Sequence, residues 1–294
     1  MFNAYFDRYV DPARARPQIW RLLVGSILIA LIYLAWLAFL FGVIWLSVGR
    51  AAMADWSARV AYPTTPTATL LLLASFIGMA LAPMAAARWV HKRSVTSLFG
   101  PSVRVVREFG IAAATVLIVY AVLLTIWSLQ FDAIPNLSLG MWLSFLPLAL
   151  CGVLIQTLAE ELIFRGYLMQ QLAARFRSPL IWMLLPCLIF GSLHYSPGTA
   201  GGNTWIVVAS TTAFGLIAAD LTRITGSIGS AWGYHFANNM VALLILSTDG
   251  TITGLALYLT PYSIDDMELV PLLSLGDMAT MVVLWLILRR VLRR

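Results

Sequence analysis

The chain has 294 residues, 61% of them hydrophobic and 11% charged, with a formal net charge of +6. Soluble domains carry about 25% charged residues, so this composition, with a mean hydropathy of +0.86, excludes a soluble globular domain and specifies an integral membrane protein. Nor does the positive charge indicate a nucleic-acid partner: the 19 basic residues, 18 Arg and Lys92, cluster at the ends of apolar segments, as topology signals do.

Residues 1–21, with their charges and aromatics, read as a cytoplasmic or interfacial lead-in. Residues 22–294 read as a single transmembrane helical domain without internal repeats. Eight apolar segments follow one another at about 22–48, 68–89, 109–129, 141–170, 179–195, 204–222, 227–247 and 271–289. The first is about twice the length of a signal-peptide core and reads as a signal anchor. Most reach the roughly 20 residues that a spanning helix needs. The fifth is short, and the fourth is long and charged. The expected fold is therefore all-α, a polytopic protein of about eight transmembrane helices. With the N-terminus inside, 17 of the 19 basic residues fall on the cytoplasmic side and only Arg50 and Arg59 outside. That asymmetry predicts N-in and C-in, and the preference for Arg over Lys fits a bacterial inner membrane.

Smaller features complete the pass along the chain. His91, beside Lys92 and Arg93, reads as a basic juxtamembrane cluster that sets topology. Cys151 and Cys187 lie in apolar segments without CxxC spacing and read as buried small hydrophobes. Asp220 and Arg223 read as a local interfacial pair. The outer loop 248–270 holds Asp249, Asp265, Asp266 and Glu268 but no basic residue, and reads as a solvated acidic loop.

The fourth segment carries the anomaly. Glu160 and Glu161 sit inside an apolar run, where one charge costs roughly 2.5–3.5 kcal/mol on insertion scales. Glu161 and Arg165 are four residues apart and share a helical face, so they can pair. Glu160 is rotated by about 100° from Glu161 and is left for other work, with Glu161 turned away from it. His194 ends the fifth segment. If the intervening turn centres on Arg177, Glu160 and His194 are each 17 residues from it and reach the same depth. In the seventh segment His235 and Asn239 share a face, with Asn238 turned away. One carboxylate, two imidazoles and one amide at a common level suit hydrolysis: a base to activate water and donors for a tetrahedral oxyanion.

Glu160-Glu161-x-x-x-Arg165, Phe190-x-x-x-His194 and His235-x-x-x-Asn239 resemble the three motifs of the CPBP family, which comprises the CaaX prenyl endopeptidases and the bacteriocin-processing and immunity-associated proteins. The resemblance covers roughly residues 141–247. It implies Glu160 as the activating base assisted by His194, His235 and Asn239 as the oxyanion pair, and Glu161 and Arg165 in support. The family was first viewed as metalloproteases and is now usually described as glutamate-dependent. The residues also allow a zinc set of Glu160, His194 and His235, in which case a separate base is required. Metal-free chemistry is favoured, because Asn239 is a poor zinc ligand and a good oxyanion donor.

The expected function is an intramembrane endopeptidase that cleaves a membrane-associated protein or peptide near the cytoplasmic side, with the lipid bilayer as its setting. The alternative is a non-proteolytic membrane protein of the same fold, acting as an immunity or assembly partner. A transporter is less supported, since no repeat symmetry or paired broken helices are visible.

Overall fold

The computed structural model describes residues 3–292. Arg293 and Arg294, counted above with the C-terminal basic cluster, lie outside the described residues, as do the first two residues of the N-terminal lead-in. Helix α1 (Ala4–Arg14) starts where the Asn3 side chain accepts the Phe6 N–H, with Asp7 in its first turn and Arg14 in its last, as the helix dipole favours. Its apolar face docks into the bundle. Phe6 meets Trp182 with ring centroids 5.0 Å apart, and the Tyr9 hydroxyl donates to the Leu98 carbonyl at 2.8 Å.

Helix α2 (Ile19–Ala61) is broken at Gly49, whose φ of 76° is left-handed. Helix α3 (Pro66–Trp89) begins with a Thr65 cap and a proline in its first turn. Helix α4 (Ser102–Trp127) leads to the short strand β1 (Ile134–Pro135). Helix α5 (Leu139–Glu161) continues through a π-helical stretch at Leu162–Met169 into α6 (Gln170–Arg175). A second π-stretch at Leu180–Leu184 opens α7 (Leu185–Ser192), and one turn, α8 (Pro197–Ala200), follows. Helix α9 (Thr204–Thr225) ends at Gly226 in the left-handed region, a common helix terminator. Helix α10 (Gly229–Met240) runs into a third π-stretch at Val241–Ile245. The chain finishes with β2 (Leu246–Asp249), β3 (Tyr258–Ser263) and α11 (Leu269–Leu292).

Among the described residues, six helical segments are long and apolar enough to cross a membrane: 19–61, 66–89, 95–127, 139–175, 197–225 and 269–292. All eight apolar segments anticipated from the sequence have a helical counterpart. The fifth and seventh, at Leu180–Ser192 and Gly229–Ile245, are shorter than those six.

The bundle has two unlike ends. One gathers α1, the 90–101 connection, the α6–α7 turn and the α9–α10 turn. Here the Arg104 guanidinium donates to the Thr225 carbonyl, and Asn3 donates to that of Arg223. His91 and Arg93, read from the sequence as part of a topology-setting basic cluster, are buried. His91 contacts the Tyr167 hydroxyl at 2.9 Å and the Gln171 amide at 2.5 Å, and Arg93 donates to Gln170. The sequence showed three adjacent basic residues and not the polar face of α6 that turns towards two of them.

The other end is capped by a three-stranded sheet in the order β1-β3-β2, with β1 antiparallel and β2 parallel to β3. This corrects the solvated-loop expectation for 248–270. Thr253 to Ala256 are buried, the Thr253 and Gly254 N–H groups donate to the Pro63 carbonyl, and Asn203 donates to the carbonyls of Ile264 and Asp266. The acidic side chains still face outward. Asp266 caps α11, and backbone N–H groups of Leu269 and Glu268 hold its carboxyl below the usual value. Of the cysteines, Cys187 is buried as expected, but Cys151 is exposed on the flank of α5. In a membrane protein an apolar stretch marks lipid contact as readily as core.

Candidate active site

Helix α10 reaches the site by close approach to α4. A Cβ on Gly233 would sit 2.2 Å from the Phe109 carbonyl oxygen, and one on Gly229 would sit 2.4 Å from that of Val105. Two small residues four apart thus let the backbones touch, as in membrane helix pairs generally. Two residues beyond Gly233, His235 projects between the two glutamates of α5.

His235 joins them. Its Nδ1 donates to Glu161 Oε1 at 2.8 Å, and its Nε2 lies 3.3 Å from Glu160 Oε2. Glu161 also accepts from Arg165 at 2.9 Å, and Arg165 donates in turn to the Gly215 carbonyl at 3.0 Å. The expected pair of Glu161 and Arg165 is therefore present. The expectation that Glu161 faces away from the site needs correction, because one imidazole bridges both carboxylates. They differ in access to water. The Glu161 side chain is 0% exposed and the Glu160 side chain 13%. Immediately after Glu161 the helix widens into its π-stretch, a distortion frequent at functional sites.

Glu160, His194, His235 and Asn239 line one cavity of about 370 Å³. His194 sits in the turn after α7, where its Nδ1 donates to the Phe190 carbonyl at 2.9 Å. A carbonyl can only accept, so that bond fixes the proton on Nδ1 and leaves Nε2 to deal with water. Phe190 and Phe214 pack edge-on against the two imidazoles and limit their rotation.

Three further polar residues join the site without having been singled out from the sequence in that role. Gln156, one turn before Glu160 on the same face, accepts from Asn239 Nδ2 at 2.9 Å. Asn238, expected to point away, also lines the cavity. It donates to Asn239 Oδ1 at 3.1 Å and accepts from the Tyr120 hydroxyl at 2.8 Å. Asp277 of α11 lines the same cavity and interacts with Tyr120. Spacing from Glu160 flags Gln156, and an acid within the apolar α11 flags Asp277. Asn238 carries no such signal, because its direction depends on how α10 is rotated against α4.

The cavity extends from Glu160 towards the capped end, bounded there by Thr248 of β2, Tyr262 of β3 and the first turns of α11. In the other direction Phe164, Leu221, Leu284 and Leu288 close it. Asp220, foreseen as pairing with Arg223, does so at 2.6 Å, and it also accepts from Trp285 and pairs with Arg289 across to α11. The cavity therefore extends towards the capped end and not towards the Arg-rich end. Among the described residues no group of three or more His, Cys, Asp or Glu side chains is arranged to hold a metal ion.

Fold and site together define a polytopic helical membrane protein with a glutamate–histidine–asparagine centre in its bundle. Residues 141–241 match the family model described as type II CAAX prenyl endopeptidase Rce1-like, a similarity that covers the part of the chain carrying the site. It is 38% identical over 120 residues to the uncharacterized protein YyaK of Bacillus subtilis (strain 168), a match that covers 40% of this chain and 39% of that protein. The chain thus aligns with about two fifths of that relative's length. No solved structure matches it.

Proposed function

We propose that the protein is an intramembrane endopeptidase that hydrolyses a peptide bond of a membrane-associated protein or peptide, with water activated by Glu160. One observation carries this reading: Glu160, His194, His235 and Asn239 come from three separate stretches of chain and line one cavity. In this mechanism Glu160 takes a proton from a water that His194 Nε2 helps to hold, and the water oxygen attacks the carbonyl carbon. Asn239 Nδ2 donates to the developing oxyanion, and so does His235 Nε2, which requires the imidazole between the two carboxylates to carry protons on both nitrogens. The 3.3 Å contact between His235 Nε2 and Glu160 is long for a hydrogen bond. It weakens once Glu160 is protonated, which frees that donor as negative charge appears on the substrate. Glu160 then returns the proton to the leaving nitrogen as the C–N bond breaks. Glu161 and Arg165 hold His235 in place.

The mechanism uses no metal. Glu160, His194 and His235 would be the ligands if a zinc ion were held; the metal-free reading expects chelators to leave cleavage unchanged, and loss of cleavage on chelation would overturn it. Charge asymmetry favours the N-in, C-in orientation in a bacterial inner membrane. With that orientation the cavity extends from Glu160 towards the extracytoplasmic end of the bundle. Comparing peptide termini between wild-type and Glu160→Gln cells tests the activity and names substrates. Cleavage retained in purified Glu160→Gln or His194→Ala protein in liposomes would overturn the mechanism. Labelling of Asp265→Cys by an impermeant thiol reagent added outside intact spheroplasts tests the orientation.

A further inference from the structure

Two aspartates on facing helices have opposite surroundings. Asp220, at the closed end, is met by Arg223, Arg289 and the Trp285 N–H. Asp277 lies within the same pair of helices but inside the cavity, and its interaction within the protein is with the Tyr120 hydroxyl. Among the described residues no lysine or arginine lines that cavity. The nearest guanidinium of the site, Arg165, is committed to Glu161 and the Gly215 carbonyl. An ionisable side chain within a membrane-spanning helix is expensive, and it persists where a partner or a function compensates. The rim continues the same sign, with Asp249, Asp265 and Glu268 exposed and no basic residue between 248 and 270.

We infer that Asp277 is a specificity-determining residue that pairs with a cationic side chain of the substrate. The inference rests on the peptidase reading above and deepens it by naming a substrate class: apolar segments with a lysine or arginine near the scissile bond, entering past the acidic rim. A free C-terminal carboxylate is the opposite case, since it would meet Glu160 and Asp277 in one small cavity with no cation to receive it. Like-signed walls also concentrate cationic ligands before they dock.

The test reads binding, so it stands apart from hydrolysis. Full-length Glu160→Gln protein in liposomes is titrated with fluorescein-labelled apolar peptides identical except for one central Lys, Gln or Glu, and anisotropy is followed. The Lys peptide is expected to bind about tenfold more tightly than the Gln peptide, and the Glu peptide more weakly than either. Asp277→Asn keeps an acceptor for Tyr120 and should erase the difference between Lys and Gln with little change in thermal unfolding. Asp277→Lys should invert the order. Equal affinities, a Lys preference that survives in Asp277→Asn, or no binding of any peptide overturns the inference. Loss of Glu160-dependent cleavage in the wild-type protein would instead overturn the hydrolytic reading alone.

Discussion

The two ends of this bundle handle buried charge in opposite ways. At the Arg-rich end buried charge is held by partners within the chain: Arg93 by the neutral Gln170 and Ser97 side chains, Asp220 by the guanidinium groups of Arg223 and Arg289. In the cavity Glu160 has a single long contact with His235, and Asp277 has no cation at all among the described residues. Glu161 stands at the border between the two, fully buried, taking Arg165 on one side and His235 on the other. A matched buried ion pair holds a structure together and does little chemistry. A carboxylate left short of partners at the edge of water can exchange protons and ligands. The contrast separates the scaffold from the proposed reactive centre, and substitutions on the two sides should part company in what they change.

The largest effects fall at that border. Glu160→Gln should lower cleavage by about 10²–10⁴-fold, the range of a lost general base, while the thermal unfolding temperature stays close to wild type. Glu161→Ala should do the reverse first, destabilising the fold by about 3–5 kcal/mol because Arg165 is left buried without its counter-charge. Denaturant or thermal unfolding in detergent checks this directly. If Glu160→Gln unfolds the protein as readily as Glu161→Ala, the division between the two carboxylates is wrong.

Asn239→Ala comes next. In the proposed mechanism it removes one oxyanion donor, and it should lower kcat by about 10²–10³-fold with KM little changed. Gln156→Leu is a finer probe, since Gln156 would act in the proposed reaction through its hydrogen bond to Asn239. A fall of about tenfold in kcat, partly restored by Gln156→Glu as an alternative acceptor, would mark a positioning role. A purely structural role would move stability and leave the split between kcat and KM untouched.

Much of this contrast is legible in the sequence, for identifiable reasons. Apolar runs long enough to cross a bilayer leave little choice but helix, and this makes the all-helical fold readable. The pair of Glu161 and Arg165 is readable because it is local, one turn apart on one helix. The shared cavity of Glu160 and His194 is readable from equal distances to a common turn. Contacts that depend on how two helices are rotated against each other are not readable. The bridge from His235 to both glutamates and the inward direction of Asn238 follow from the close approach of α10 to α4 at Gly229 and Gly233. The capping sheet is invisible for another reason. Its strands are short, and their pairing joins residues 134–135, 246–249 and 258–263 across the chain.

The smallest effect concerns the scaffold end and depends on pH. Burial, with the nearby Arg93 guanidinium adding to it, pushes the His91 imidazole down from its ordinary 6.5 to about 4. The folded protein therefore holds His91 neutral over a range in which the unfolded chain protonates it. A depressed histidine contributes fully above the unfolded value and loses its contribution as pH falls from about 6.5 towards 4, because the unfolded state then binds the extra proton. The carboxylates of the chain also titrate in this window, so the informative quantity is the difference between wild type and His91→Gln. The glutamine keeps a polar contact to Tyr167 without a titrating ring. Wild-type unfolding temperature should fall more steeply than that of His91→Gln between pH 7 and pH 4, and the two should run parallel above pH 7. Cleavage measured at pH 7 should be equal in both, since His91 lies at the Arg-rich end, away from the cavity. Parallel stability curves down to pH 4 would mean that His91 is reached by water in the folded state, and that the Arg-rich end is less tightly closed than its buried hydrogen bonds imply.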